Sequence, residues 1–322
     1  MWYFKEKEFW FLISLIFSTK KIDKNTLLQL DLKILTKISS EFLIIPLMYS
    51  KLELHNLKKY IDKEFIKYIK QIYELNLERN NILIKEINEI SDILNRENIN
   101  HVYIKGASLI ISDAYEVKSQ RMIGDIDILV EDKDIKRSLK LLTVNNYRHN
   151  FEMPVNKRHL PRLINEDKNF AIEIHSRISE YNLDIEKSIL KNKVKVYKHS
   201  IPSKSDMLII NIYNDQLNDK NLYKMNFSIR SFYDSFSLLN QKEKKFENRI
   251  FQNYFMMMSK LKIYIPIKIK SRSVKIRYFI FFRFKTYRLI EKKILKIFLI
   301  YKWRISKLKS IFNNKLGRNS FS

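Results

Sequence analysis

The sequence contains no cysteine, which excludes disulfide bonds and thiolate metal sites and fits a reducing compartment. Only 3 glycines and 5 prolines occur among 322 residues, so helices joined by short loops are favoured. No apolar run approaches the roughly 20 residues of a membrane-spanning helix. The apolar stretch at residues 9–17 is too short for such a span and precedes no secretory cleavage site. We therefore expect a cytoplasmic protein without a transmembrane segment.

Acidic side chains are almost absent from the C-terminal end. The chain has a formal net charge of +26, and residues 261–322 hold 18 Lys and Arg against one acidic residue, Glu291. From residue 277 onward the basic residues alternate with Phe, Tyr, Ile and Trp303. Three interpretations are open for residues 277–322. In the first, these residues form a packed helix with a solvated basic face. In the second, they lie peripherally on an anionic membrane surface. In the third, they bind RNA phosphates and stack on bases.

Hydrophobic residues make up 45% of the chain, which is enough for a substantial core. Their spacing is helical before residue 98, mixes strand and helix patterns up to about residue 180, and then becomes helical again. We therefore predict an α/β (α+β) fold, in which a small mixed-sheet core is flanked by helical regions. The predicted parts are an N-terminal helical region (1–97), the α/β core (98–180), a C-terminal helical region (181–260) and a basic amphipathic tail (261–322).

Two examples illustrate the helical pattern of the N-terminal region. Leu83, Ile87, Ile90 and Leu94 follow a spacing that places them on one helical stripe. The apolar residues spaced three and four apart within 27–38 predict a second amphipathic helix.

Two of the three glycines bracket the part of the sequence that is richest in chemistry. Gly106 follows Lys105 at the end of a short β-prone run, and Gly124 directly precedes Asp125. A chain so poor in glycine is expected to use it where the backbone needs a positive φ or a close approach to a ligand. A strand that turns on Gly106 into a helix would direct backbone N–H groups at an anion.

A pair of carboxylates, Asp125 and Asp127, follows Gly124 on a predicted strand. Residues two apart on a strand project from the same face, and their negative charges repel unless a cation lies between them. Glu173, on a second predicted strand, supplies a third carboxylate. Two divalent ions about 4 Å apart are the arrangement used for in-line phosphoryl transfer. Oxygen ligands favour Mg²⁺ or Mn²⁺, so we predict a metal site at Asp125, Asp127 and Glu173.

Other polar residues near these motifs are candidates for nucleotide binding. Lys105 is placed to neutralise phosphate oxygens, and Ser108 to donate a hydrogen bond to them. Arg121 has two alternative binding partners, the triphosphate of a nucleotide or a structural carboxylate of the protein. His175 shares a strand face with Glu173, where it contacts nucleotide or metal or makes a structural hydrogen bond. His159 lies in a basic segment and is expected to face solvent.

The motifs resemble those of the nucleotidyltransferases of the DNA polymerase beta superfamily, and in particular a family of uncharacterised nucleotidyltransferases. The resemblance rests on residues 104–109, 121–130 and 172–175, with a weaker match at 230–234. The usual Gly-Ser pair of the superfamily is Gly106-Ala107 here, with the serine displaced to Ser108.

The resemblance implies a role for each motif. Asp125 and Asp127 would bind both metal ions, while Glu173 would bind one and help to deprotonate the acceptor. Gly106 and the helix after it would hold the triphosphate of an NTP.

Two hypotheses follow for the function. The first is a metal-dependent nucleotidyltransferase that moves an NMP from an NTP to a hydroxyl acceptor on RNA such as tRNA, on a protein or on a small molecule. The second is a non-catalytic basic protein, whose degenerate transferase fold docks on nucleic acid or a membrane surface. Arg230 and Asp234, one helical turn apart, have two alternative roles: they form an ordinary ion pair, or they help to shape the site.

Overall fold

The computed structural model describes residues 2–18, 22–149, 158–180, 185–239, 248–265, 267 and 269–283. Most of the predicted basic tail, residues 284–322, lies outside the described residues. The helices are α1 Lys7–Phe17, α2 Lys24–Leu28, α3 Leu32–Glu41, α4 Ile45–Leu54, α5 Lys63–Arg96, α6 Lys105–Ile111, α7 Ile135–Val144, α8 Glu186–Lys191, α9 Lys204–Tyr213, α10 Asn221–Lys224, α11 Ile229–Leu238, α12 Arg249–Lys260 and α13 Arg272–Arg283.

Within the described ranges, five short strands form one mixed sheet in the order β1-β2-β5-β4-β3. Strand β2 runs antiparallel to β1 and parallel to β5, and β4 returns antiparallel beside β5. The strands of the sheet are β1 His101–Ile104, β2 Asp125–Val130, β3 Arg148–His149, β4 Leu163–Ile164 and β5 Ala171–His175, and a separate hairpin pairs β6 Val194–Val196 with β7 His199–Ile201. The predicted α/β class, with a small mixed sheet between helical regions, is confirmed.

The apolar stripe predicted for Leu83, Ile87, Ile90 and Leu94 lies on α5, and all four side chains are buried. The single helix predicted over residues 27–38 is wrong, because α2 ends at Leu28 and α3 begins at Leu32. Asp31 explains this break. Its side chain accepts hydrogen bonds from the backbone N–H groups of residues 33 and 34 and so caps a new helix.

Aromatic rings connect the start of the chain to its C-terminal helical region. Phe227, just before α11, lies 5.8 Å from Tyr3, 6.0 Å from Phe9 and 5.6 Å from Phe42, measured between ring centroids. These contacts place helical segments from opposite ends of the chain in one hydrophobic core. In the part of the chain that is described, no helix combines the length and the apolar character that a bilayer crossing requires.

Candidate active site

Strands β2 and β5 bring three predicted site residues together. In the parallel register Asp127 lies beside Glu173, and His175 is two residues further along β5. All three side chains are buried. The Nε2 atom of His175 lies 2.7 Å from Asp127 Oδ1 and 3.4 Å from Glu173 Oε2. One ligand atom from each residue falls within 4.8 Å of the other two, so the group is able to hold a metal ion.

The donor set of this group fits a divalent cation. Two carboxylate oxygens suit Mg²⁺ or Mn²⁺, and the imidazole nitrogen adds a ligand that first-row transition metals favour. Asp125 is not one of these three converging residues, and its role as a metal ligand stays a prediction. The Nδ1 atom of His175 is buried and has no hydrogen-bond partner among the described residues.

Two cationic side chains neutralise the carboxylates. Lys105 donates to Asp127 Oδ1, and its Nζ atom lies 3.9 Å from Glu173 Oε2. Arg162, just before β4, bridges two carboxylates, with Nη2 at 2.7 Å from Asp125 Oδ2 and Nε at 2.8 Å from Glu173 Oε1. Because β4 pairs with β5, Arg162 reaches this cluster across the sheet. Arg162 was not predicted from the sequence, since its only local signal is a basic residue before a two-residue strand.

The cluster sets the pKa values of its carboxyl groups in different directions. Burial alone would raise the pKa of Asp127, but the charge of Lys105 and the hydrogen bond from His175 outweigh it and lower the pKa. Burial is likewise opposed at Glu173, where hydrogen bonds from His175 and Arg162 lower the pKa. Burial and the charges of Asp127 and Glu173 raise the pKa of Asp125. Asp127 and Glu173 are therefore carboxylates at neutral pH, as metal binding requires.

The positive φ that was one of two predicted reasons for the glycines is wrong, and a close approach to a ligand stays a prediction. Neither Gly106 nor Gly124 has a positive φ; the left-handed residue at the start of α6 is Lys105, with φ 55°. A Cβ added to Gly106 would lie 3.1 Å from Cγ1 of Ile123, so Gly106 is needed for close packing. At Gly124 an added Cβ would meet no atom within 4 Å.

Ser108 and Arg121 make structural contacts. Ser108 is buried and donates to the carbonyl of Lys105 at 2.8 Å, so its predicted phosphate contact has no direct support. Arg121 lines the cavity but forms a bidentate ion pair with Asp234, from Nε to Oδ1 at 2.8 Å and from Nη2 to Oδ2 at 2.9 Å. Tyr115 donates a further hydrogen bond to Asp234. The predicted pair between Arg230 and Asp234 is therefore wrong, because Arg121 occupies both carboxylate oxygens.

His159 is half-buried rather than exposed to solvent as predicted. Its ring centroid lies 4.9 Å from that of His175, and its Nδ1 atom is 2.7 Å from the carbonyl oxygen of Leu160. Burial lowers the pKa of His159, so the ring is neutral at pH 7. Residue 159 bridges to residue 175 at the end of the central strand β5, and His159 lines the cavity beside the carboxylate cluster.

A cavity of about 380 Å³ opens beside the carboxylate cluster. One wall belongs to the sheet and α6, and carries Asp125, Asp127, Glu173 and Lys105. The opposite wall belongs to α9, to the π-helical turn Asn214–Asn218 that continues it, and to α11. Cavity-lining residues on this second wall are Asn211, Asn214, Asp215, Asp219, Ser228, Arg230, Ser231 and Asp234. The weaker family match at residues 230–234 pointed to part of this wall, whereas the residues from α9 and the π-helical turn carry no motif that connects them to the strands.

Comparison with known proteins agrees with the motifs and their geometry. No curated protein sequence matches the chain. A family described as uncharacterised nucleotidyltransferases matches residues 29–259, which include the whole sheet, the carboxylate cluster and both walls of the cavity. The match extends over most of the chain, and the chain therefore belongs to this uncharacterised nucleotidyltransferase family.

Proposed function

We propose that the protein transfers a nucleoside monophosphate from an NTP to a hydroxyl acceptor and releases pyrophosphate. The observation that carries the proposal is the convergence of Asp127, Glu173 and His175, of which the two carboxylates line the cavity and His175 is buried beside them. This group suits a divalent cation such as Mg²⁺ or Mn²⁺, and the family is one of nucleotidyltransferases. The cavity beside it has a volume in the range of small-molecule sites.

In the reaction, the acceptor oxygen forms a bond to the α-phosphorus as the bond from that phosphorus to the bridging oxygen of pyrophosphate breaks. A bound divalent ion would supply positive charge against the charge that develops on the phosphoryl oxygens. Asp125, Asp127, Glu173 and His175 are the residues that would hold such an ion.

Glu173 stays ionised and helps to deprotonate the acceptor by accepting a hydrogen bond from its hydroxyl, and the proton passes on to solvent during attack because the pKa of Glu173 is lowered. Lys105 binds phosphate oxygens from the start of α6. The cavity wall that carries Gly124 leaves space for the nucleotide, because no side chain projects from that position.

An assay for labelled product tests the proposal. The full chain is incubated with each NTP labelled at the α-phosphate, with Mg²⁺ or Mn²⁺, and with RNA, protein and small-molecule acceptors in parallel. We expect release of pyrophosphate and transfer of label to one acceptor class. Asp127→Asn should lower the rate by at least about 100-fold, because loss of the carboxylate charge weakens metal binding.

Asp132→Asn is the matched control, since Asp132 follows the same strand but is exposed. Circular dichroism and thermal unfolding must show that both variants are folded. An Asp127→Asn protein that is folded and as active as the wild type would remove this carboxylate from the mechanism. Absence of labelled product with every acceptor, while NTP and metal still bind, would favour the non-catalytic hypothesis.

A further inference from the structure

Arg230 lies on the second wall of the cavity and forms no ion pair with any residue that the structure describes. It is the second residue of α11, is half-buried, and lines the same cavity as Asp127 and Glu173. Among the described residues, no carboxylate oxygen lies within 4.0 Å of its guanidinium, and the side chain donates no hydrogen bond. The nearest strong acceptor on its own helix, Asp234, is taken by Arg121.

The surroundings of Arg230 disfavour its charge. The neighbouring charge of Arg121, followed by burial, lowers the pKa of Arg230 to about 10, so the side chain is still a cation at pH 7. The first turn of α11 contains no acidic residue, and the positive end of a helix dipole repels a cation. Asp219 and Asp234 exert an opposing attraction, but neither lies in contact with Arg230. A charge retained at a cost to stability inside a cavity is typical of a ligand-binding residue.

We propose that Arg230 and the N-terminal turn of α11 form an anion subsite that holds the outer phosphates of the nucleotide triphosphate. This subsite rests on the proposed function, since it assigns one part of the same substrate. A guanidinium binds phosphate oxygens through two parallel hydrogen bonds, and each bond is charge-assisted.

A second cation defines the direction of the triphosphate. Lys105, Asp219 and Arg230 line the same cavity, and the charges of both cations oppose the rise that burial causes in the pKa of Asp219. Lys105 also contacts Asp127 in the carboxylate cluster. A triphosphate with its α-phosphate at the carboxylates would therefore extend past Lys105 towards Arg230.

Binding measurements separate this subsite from the rest of the nucleotide site. Isothermal titration calorimetry would compare inorganic tripolyphosphate, a non-hydrolysable NTP and the corresponding NMP on the full chain. Arg230→Ala should weaken tripolyphosphate and NTP binding by roughly 10- to 100-fold, the equivalent of losing a charged hydrogen-bonding partner. NMP affinity should change by less than about twofold. Arg230→Lys should recover part of the loss, because it keeps the charge but not the bidentate geometry.

Arg249→Ala is the matched control, because Arg249 is an exposed arginine in the first turn of another helix, α12. It should leave all three affinities unchanged. The melting temperature of Arg230→Ala should equal or exceed that of the wild type, because a repelled charge is removed. A lower melting temperature together with equal losses for NMP and NTP would show a structural role and overturn the subsite.

The two proposals fail in different ways. Tripolyphosphate binding that depends on Arg230, in a protein without transferase activity, would support the subsite and reject the proposed function. Transferase activity in which Arg230→Ala leaves the KM for NTP and the affinity for tripolyphosphate unchanged would reject the subsite alone.

Discussion

Asp215 is a buried acid on the second wall of the cavity. Its oxygens accept hydrogen bonds from Gln216 Nε2 at 2.7 Å and Asn221 Nδ2 at 3.0 Å. Burial raises the pKa of Asp215 from its ordinary value of 3.8 to about 7 despite these bonds, and Asp219 contributes to the rise. The folded protein therefore holds a proton on Asp215 at pH values where the unfolded chain has lost it.

This difference predicts the sign of a pH effect on stability. Because the folded state binds the extra proton, the free energy of unfolding should fall as pH rises from about 4 to about 7. The loss attributable to Asp215 should be on the order of 2–4 kcal/mol. Urea unfolding of the wild type and Asp215→Asn at pH 5 and pH 8 measures it, and the variant should lose less stability. Equal losses in both proteins would contradict the prediction; the exposed control Asp132→Asn should follow the wild type.

At the residue level, local motifs could be predicted from the sequence, whereas contacts between distant parts of the fold could not. The spacing of Asp125 and Asp127 on a strand, with Glu173 and His175 on another, predicted which residues meet once the strands pair. Arg162 and Asp215 were missed, because their contacts depend on which strand and which helix lie opposite. Pairing of Arg230 with Asp234 was predicted from spacing alone, and it failed since Arg121 competes for the same carboxylate.

Among the elements, α5 has a direct influence on the candidate active site. Asn80 donates to the carbonyl of Lys118 at 2.6 Å and to that of Arg121 at 2.8 Å. Asn76, one turn earlier, donates to the carbonyls of Ser119 and Arg121. The helix thereby fixes the segment that leads from Arg121 to the carboxylates of β2.

Removal of this contact should affect both stability and activity. Asn80→Ala removes the side-chain donor to the carbonyl of Lys118 and one of the two side-chain donors to the carbonyl of Arg121. We expect a loss of about 1–3 kcal/mol in the free energy of unfolding. NTP binding should also weaken, because the Arg121 segment lines the cavity. Thermal unfolding and calorimetry measure the two effects. Asn81→Ala, at the exposed neighbouring position, should change neither, and equal effects of the two substitutions would contradict the role of Asn80.

Sequence periodicity predicted that a helix exists better than it predicted the residues at which the helix begins and ends. The apolar stripe of α5 was predictable because four residues repeat at a helical spacing. The break between α2 and α3 was not, because the apolar spacing continues across it. The backbone N–H of Asp31 donates to Oε1 of the buried Glu8 at 2.8 Å, and this tertiary contact fixes the start of α3.

For the whole molecule, the basic C-terminal end gives a separate prediction. Residues 284–322 carry 11 Lys and Arg and one acidic residue, whereas Arg277 and Tyr278 pack on the described fold through Leu222 and Asn253. Truncation after Arg283 should therefore leave the fold intact. If the tail binds RNA, affinity of the full chain for RNA should fall steeply between about 50 and 200 mM salt and be lost on truncation.

Parallel assays distinguish the interpretations of the tail. Sedimentation with vesicles that contain anionic lipid tests the membrane surface, and filter binding tests RNA. A truncated chain that retains the full RNA affinity would reject the RNA interpretation. If truncation changes neither vesicle binding nor RNA binding, the remaining interpretation is a packed helix with a solvated basic face.

The aromatic contacts between Phe227 and the first helices also affect biosynthesis. Tyr3 and Phe9 leave the ribosome first, and more than 200 further residues are synthesised before Phe227, whose ring packs against them. Helices α3 and α4 cover part of α1 earlier, but the ring surface that Phe227 covers stays exposed to other nascent chains and to chaperones until then. Contacts so distant in sequence are slow to form, and partly synthesised chains with exposed apolar surface are prone to aggregate. Translation that stalls before residue 227 would therefore release a fragment with an uncovered aromatic surface.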